Sequence, residues 1–228
     1  MKVIFDKDKL HTYITRLDLG RMFSDLPSVP FQLRTYEKNE GILHEGDALD
    51  GLYLQVEGQT KVTASVESGK TLLLRFCHPL SIFGDLEIVQ KTVIQSKVEA
   101  VSDTHFLFID KQTVEMSLMQ DHLFLNELLK HLAYKLQTCT SASKINLLSS
   151  VEERFAAYLL STRLPNDFGK EIQSSKVQEI ASVIGTTPRH LNRLIQKMAD
   201  SGVLSKKRDG FIVLDWSQLD EISGGMIY

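Results

Sequence analysis

Ser175-Lys176-Val177-Gln178-Glu179-Ile180-Ala181-Ser182-Val183-Ile184-Gly185-Thr186-Thr187-Pro188-Arg189-His190-Leu191-Asn192-Arg193-Leu194 is the stretch on which the reading of this chain turns. Ser175 and Gln178 have capping-box spacing, so a short helix is expected to open here. Its apolar face is Val177, Ile180, Ala181 and Ile184, and Gly185 ends it. A second helix restarts at once, with Thr187 as cap and Pro188 at the first helical position, where its missing N–H costs nothing. Leu191, Leu194, Ile195 and Met198 supply the apolar face of this second helix, and Ser201-Gly202 stops it. Two short helices joined by a three- to four-residue turn containing glycine form a helix-turn-helix.

The residues beyond extend the motif. Val203-Leu204-Ser205-Lys206-Lys207-Arg208 and Phe211-Ile212-Val213-Leu214 flank Asp209-Gly210, the pairing that favours a tight hairpin, so a β-wing with a cationic tip is expected. From Lys176 to Gly210 there are seven Lys/Arg against three Asp/Glu, a local excess of +4 in a chain whose net charge is -3. Positive charge is thus focused on one element, as a local DNA contact requires. In the second helix Arg189, His190, Asn192 and Arg193 are the candidate base readers, since the N-terminal part of a recognition helix enters the major groove. Arginine can bond bidentately to guanine and asparagine to adenine. Lys206, Lys207 and Arg208 are expected on phosphate, which positions without specifying. Lys176, Thr187 and Gln196 complete the expected DNA contacts.

Working outward toward the N-terminus, Ser150 and Glu153 again have capping-box spacing. They open a helix whose face is Phe155, Ala156, Leu159 and Leu160, with Pro165 beyond its end. Before it, Leu125, Leu129, Leu132, Leu136, Cys139 and Ser143 follow a four-three spacing, the seam of a coiled coil, and point to a dimer helix. From Phe31 to Asp110 short apolar runs alternate with turn signals at Asn39-Glu40-Gly41, Glu45-Gly46-Asp47, Glu57-Gly58, Ser68-Gly69 and Phe83-Gly84-Asp85. This texture predicts an all-β sandwich or roll. Alternation is visible in Gly51-Leu52-Tyr53-Leu54-Gln55-Val56, while Leu72-Leu73-Leu74-Arg75-Phe76 reads either as alternating or as fully buried. Leu10, Tyr13, Ile14 and Leu17 predict an amphipathic helix between Lys7 and Phe23, which Pro27 and Pro30 prevent from continuing.

Composition bounds the function. The 228 residues suffice for one large or two modest domains. Cys77 and Cys139 lie far apart, outside any C-x-x-C spacing, which suits a reduced cytoplasmic protein and leaves no zinc or iron–sulfur framework. The N-terminus is too charged for a signal peptide, and no apolar run approaches the roughly 18 residues of a membrane span. No nucleophile–base pair, metal-ligand cluster or phosphate loop ending in lysine is present, so an enzyme is not expected.

Three stretches together resemble the Crp/Fnr superfamily of transcription regulators, over about residues 30 to 215 and in the family's order. Gln178-Glu179-Ile180-Ala181 through Gly185, followed by Thr187 to Leu194, resembles its helix-turn-helix. Asn39 to Asp47, with Leu52-Tyr53-Leu54 and Gly58, resembles its opening β-roll hairpins, and Phe83-Gly84-Asp85-Leu86 its phosphate-binding cassette. The resemblance implies an α+β fold: a double-stranded β-roll of cyclic-nucleotide-binding type (1–110), a long dimerisation helix (111–146) and a winged helix-turn-helix (147–228). It further implies a homodimer on a palindromic site in double-stranded DNA, with RNA polymerase as a further partner if the regulator is an activator.

The cassette departs from the family's pattern. Gly84, Asp85, Leu86, Gln95 and Ser96 are the candidate effector-pocket residues. Where cyclic-nucleotide binders carry an Arg-Ser/Thr-Ala triplet, this chain reads Gln95-Ser96-Lys97, and Asp85 replaces the ribose-binding glutamate. A glutamine cannot give phosphate the charge-assisted bidentate bond of arginine. Lys97 shares the face of Gln95 and is the one cation that could compensate. Cyclic AMP is therefore not the expected effector. Two cysteines cannot hold an Fnr-type cluster, and Cys77-His78 would aim haem ligands at opposite faces of a strand. The effector is left unidentified. The competing reading is a cyclic-nucleotide-binding module whose C-terminal domain contacts protein. In the recognition helix the family's common Arg-Glu pair becomes Pro188-Arg189, so a different target sequence is expected.

Overall fold

The computed structural model describes all residues except 66–70, 164–169, 172–175 and 208–209. The chain divides into two units, one built on residues 1–71 and 76–135, the other on 136–166 and 171–228 with Leu72–Arg75. Their boundary falls inside one long helix.

The first unit opens with β1 (Lys2–Ile4) and α1 (Lys7–Arg16) and continues through β2 (Gln32–Tyr36), β3 (Gly41–Leu43), β4 (Gly51–Glu57), β5 (Thr60–Ser65), the ends of β6 (Thr71–Cys77), β7 (Ile82–Phe83), α2 (Asp85–Gln90), β8 (Lys97–Ala100), β9 (Thr104–Asp110) and α3 (Lys111–Met116). One antiparallel sheet runs β1-β2-β9-β4-β7, and in a second β6, β5, β8 and β3 follow one another. Leu52, Leu54 and Val56 of β4 and Phe106, Leu107 and Ile109 of β9 are at most 1% exposed. These β-strands and their helices form the predicted mixed α+β roll.

The expected alternation of β4 does not hold. Leu52 through Val56 are all buried, because this strand is covered on both faces. It is β6 that alternates, with Leu73 buried between exposed Leu72 and Leu74. Gln55, also fully buried, is satisfied by donating to the carbonyls of Gly58 (2.9 Å) and Cys77 (3.2 Å) and accepting from Thr60 Oγ1 (2.9 Å). The N-terminal helix is shorter than expected. It ends at Arg16 because Asp18 takes a left-handed conformation (φ 49°), and a 3-10 turn, Leu19–Met22, follows. Tyr13 pins α1 to the roll through its hydroxyl, which donates to Glu57 and meets His105 Nδ1 at 2.5 Å.

α4 (His122–Leu148) is 27 residues long. Phe124, Glu127, Leu128 and His131 form its buried face, while Leu129 and Leu136 are 65% and 70% exposed. No described helix is long and apolar enough to cross a membrane.

The second unit contains α5 (Val151–Ser161), α6 (Val177–Val183), α7 (Pro188–Asp200), β11 (Leu204–Lys207), β12 (Gly210–Val213) and α8 (Trp216–Ser223), and the two-residue β10 (Lys170–Glu171) is divided between the two units. α5 carries the predicted capping box, with Glu153 N donating to Ser150 Oγ and Ser150 N to Glu153 Oε2. Phe155 through Leu160 are all buried, and Phe155 meets Phe211 edge-on at 5.6 Å. Pro165 lies outside the described residues.

Candidate nucleic-acid interface and effector seat

The helix-turn-helix is built by its caps and its glycine. Thr187 accepts from His190 N at 3.2 Å, Pro188 takes the first turn, and Gly185 (φ 63°) makes the turn between α6 and α7. The start of α6 differs from expectation: its cap is Lys176, which makes no side-chain capping bond, and Ser175 lies outside the described residues. With the cap at Lys176 the fourth residue of the motif is Glu179, which meets Lys176 Nζ at 3.3 Å. Ile180, Ala181, Ile184, Leu191, Leu194, Ile195 and Met198 are buried, so the opposite side of α7 is turned outward.

That outward side carries Arg189, His190, Asn192, Arg193 and Gln196, all exposed. Arg189, Asn192, Arg193 and Gln196 are spaced by three, four and seven residues and share one stripe. Lys206 and Lys207, exposed on β11, stand on the wing, whose strands pair from Leu204↔Val213 to Lys207↔Gly210. Arg208 and Asp209 lie outside the described residues. Lys206 Nζ donates to Gln196 Oε1 at 2.7 Å. Lys197, which the motif reading missed, lies four positions after Arg193 and pairs with Glu152 at 2.6 Å. Its helical spacing from Arg193 was the available signal. Ser150, Glu152, His190, Arg193 and Lys197 line a cleft of about 410 Å³ between α5 and α7.

In the first unit, Gly84 (φ 87°) turns the chain from β7 into α2, and a Cβ there would stand 2.7 Å from the Gly51 carbonyl. Asp85 follows, 2% exposed. Its carboxylate accepts from Lys135 Nζ of α4 at 2.7 and 2.6 Å, and the same ammonium donates to the Ile82 carbonyl at 2.7 Å. Lys135 was not among the expected pocket residues; it is one step before the seam residue Leu136 and carries no motif of its own. Leu86 points outward, 38% exposed. Gln95 is exposed and folds onto its own loop, donating to the Val93 carbonyl at 2.8 Å, while its backbone N–H donates to Glu87 at 3.1 Å. Lys97 is committed to Glu99 at 2.6 Å, a carboxylate that Lys61 also holds, and these two cations draw its pKa below the usual range despite its burial. Ser96 is half-buried beside them. The residues expected to greet an anion are thus paired within the chain.

Of the expected seam residues, Leu129, Leu136, Cys139 and Ser143 are exposed, Leu125 is half-buried, and Leu132 packs partly against the core of the roll. Cys77 is a buried thiol, and the imidazole of His78 meets Gln59 at 3.1 Å. Among the described residues no group of three His, Cys, Asp or Glu side chains is placed to hold a metal ion.

Comparison with known proteins agrees with both halves. A family model for the cyclic nucleotide-binding domain matches residues 33–121, and one for the Crp-like helix-turn-helix domain matches residues 153–222. Over 203 residues the chain is 26% identical to the cyclic AMP receptor protein of Thermus thermophilus, covering 89% of this chain and 93% of that one. It is 22% identical to regulatory protein YeiL of Escherichia coli O157:H7, with 80% and 81% covered. The structure of FixK2 from Bradyrhizobium japonicum superposes with a TM-score of 0.69 at 20% identity, over 84% of this chain and 96% of that one.

Proposed function

The chain belongs to the Crp/Fnr family of helix-turn-helix transcription regulators, and on that premise we propose that it binds a two-fold symmetric DNA site as a homodimer clasped along α4. In this reading Arg189, His190, Asn192 and Arg193 read base edges in the major groove. Lys206, Lys207 and Arg208 hold phosphate, with Lys176, Thr187 and Gln196 at the margins of the same face. The half-sites lie about one helical turn, roughly 34 Å, apart. If the regulator is an activator, RNA polymerase is its further partner.

The observation that carries the reading is the exposed stripe Arg189-Asn192-Arg193-Gln196 on a helix whose other side is buried, flanked by a cationic wing. A solvated helix face has no need of that flank, and a catalytic site would need a different set of groups.

The signal is an effector other than cyclic AMP. The Thermus relative carries cyclic AMP in its name, yet here Gln95 is folded onto its own loop, Lys97 is paired with Glu99 and Asp85 with Lys135. No arginine stands in the Gln95-Ser96-Lys97 triplet to meet a cyclic phosphate. An effector would act by shifting the population between DNA-competent and incompetent forms.

Selection of bound duplexes from a random pool, at near-physiological salt and with or without cyclic AMP, tests both parts. Recovery of one two-fold symmetric motif in both conditions is the expected result. Enrichment only with the nucleotide would overturn the assignment of the effector. Failure to enrich in either condition, alongside tight nucleotide binding, would favour a protein-contacting module.

A further inference from the structure

The Asp85–Lys135 pair sits at the one place in the roll where an effector is expected, with its carboxylate buried and its lysine side chain 30% exposed. Asp85 is 2% exposed, and the ammonium facing it has three acceptors within 2.7 Å: both carboxylate oxygens and the Ile82 carbonyl. An ammonium has three protons to give. Lys135 also lies 6.0 Å from the centroid of the Phe83 ring. β7 and the first residue of α2 therefore form a seat whose occupant is a side chain of α4.

Burying even the carboxylate of an ion pair is an expensive way to hold two helices together. An apolar contact of the same volume would give equal or greater stability, whereas the pair fixes position and register. α4 is already anchored by Phe124, Leu128 and His131, all buried on the same side, so the added pair matters for placement at the end of that face. Beyond it α4 leaves the first unit and continues to Leu148.

We infer that Lys135 is an internal ligand of the β-roll: its ammonium, seated on Asp85, holds α4 against α2 and makes the DNA-binding form of this chain independent of any cyclic nucleotide. The inference rests on the reading of the chain as a DNA-binding regulator. It follows that a small anion finds the seat closed, and that a signal reaching α4 through this seat must break the pair.

The test uses the full chain and the variants K135Q, D85N and K135R, with D85N/K135Q as a double variant that leaves no buried charge without its partner and so keeps the fold accessible. Hydrogen exchange is followed in α2 and in residues 128–140, and affinity for the selected duplex is measured without nucleotide. The expected result is that K135Q, D85N and the double variant exchange about tenfold faster in both segments. They bind the duplex about tenfold more weakly, a coupling of ordinary allosteric size. K135R, which can still bridge the carboxylate, stays within about threefold of the parent. Cyclic AMP or cyclic GMP at about 1 mM leaves the parent's melting temperature and DNA affinity unchanged. Unaltered exchange in a folded double variant would overturn the inference, as would a tenfold gain in DNA affinity of the parent on adding either nucleotide. A parent chain that selects no duplex would sink the regulator reading itself, and the exchange data would still judge the clamp.

Discussion

Lys206 on the wing and Gln196 on the recognition helix are joined by a 2.7 Å hydrogen bond, and the Gln196 amide in turn donates to Asp200 at 2.7 Å. Two of the residues expected to contact DNA are thus coupled before any DNA is present. The bond fixes the glutamine's orientation, with its oxygen toward the wing and its nitrogen toward Asp200. A lysine moving onto phosphate must release its acceptor. K206A is therefore expected to weaken binding to all duplexes alike and to reduce the slope of log affinity against log salt by about 1. Q196A should leave that slope unchanged and alter preference at one base pair. Titrations at several salt concentrations separate the two, and a lost slope in Q196A would show that the glutamine acts only by holding the lysine.

Arg193 is exposed midway along α7, on the stripe shared with Arg189, Asn192 and Gln196. Its removal leaves the buried face of the helix untouched. R193A should lose about 1–3 kcal/mol of affinity for the best site and relax one symmetric pair of positions in a repeat of the duplex selection. A binding profile identical to the parent's would remove Arg193 from the reading head.

The elements that were legible in the sequence are those whose signals are local. Ser150 with Glu153, Thr187 with Pro188, and Gly185 announce helix ends within a few residues, and the spacing of Leu191, Leu194, Ile195 and Met198 states which side of α7 is buried. Positions that depend on distant partners were not legible. Nothing near Asp85 in the chain signals Lys135, fifty residues away, and nothing near Glu152 signals Lys197. β4 looked half-exposed because its sequence alternates Leu with Tyr and Gln. The structure buries those polar side chains with partners: Tyr53 donates to Asp50 at 2.8 Å, and Gln55 donates to two carbonyls. The helical pattern after Lys7 runs on past Arg16, but the chain takes a left-handed turn at Asp18, which has no sequence mark beyond the aspartate itself.

Leu129 and Leu136, seven residues apart on α4, each leave most of their surface in water in the single chain. Burying each against a partner helix would contribute about 1.5–3 kcal/mol. L136K is expected to shift the sedimentation of the protein from dimer to monomer at concentrations where the parent is paired. Cys139 is exposed three positions on, at the next seam position, so mild copper-catalysed oxidation should give a covalent dimer in the parent and none in C139S. A paired L136K chain would exclude this seam.

Stability should fall in mild acid. His131, 5% exposed on the inner face of α4, has its pKa depressed to about 4 by burial first and by Lys135 next, against the raising influence of Asp85 and Glu127. The unfolded chain takes up a proton on this ring near pH 6.5, and the folded chain does so only near pH 4. The folded state thus binds fewer protons between these values, and the stability present above pH 6.5 is lost progressively down to pH 4. The loss from this residue is about 2 kcal/mol between pH 7 and pH 5. His105, also held below its ordinary value by burial and by Lys9, acts in the same direction. Glu57 and Glu99, whose pKa values are lowered in the fold, lose their contribution only below the ordinary carboxylate range, so the interval from pH 7 to 5 reports on the histidines. Urea unfolding at pH 7, 6 and 5 measures the slope, and H131Q should flatten most of it. An H131Q chain with the parent's slope would mean that the His131 ring takes up its proton at the same pH folded and unfolded, and a steeper slope in H131Q would mean that the ring is already protonated against Asp85 in the fold.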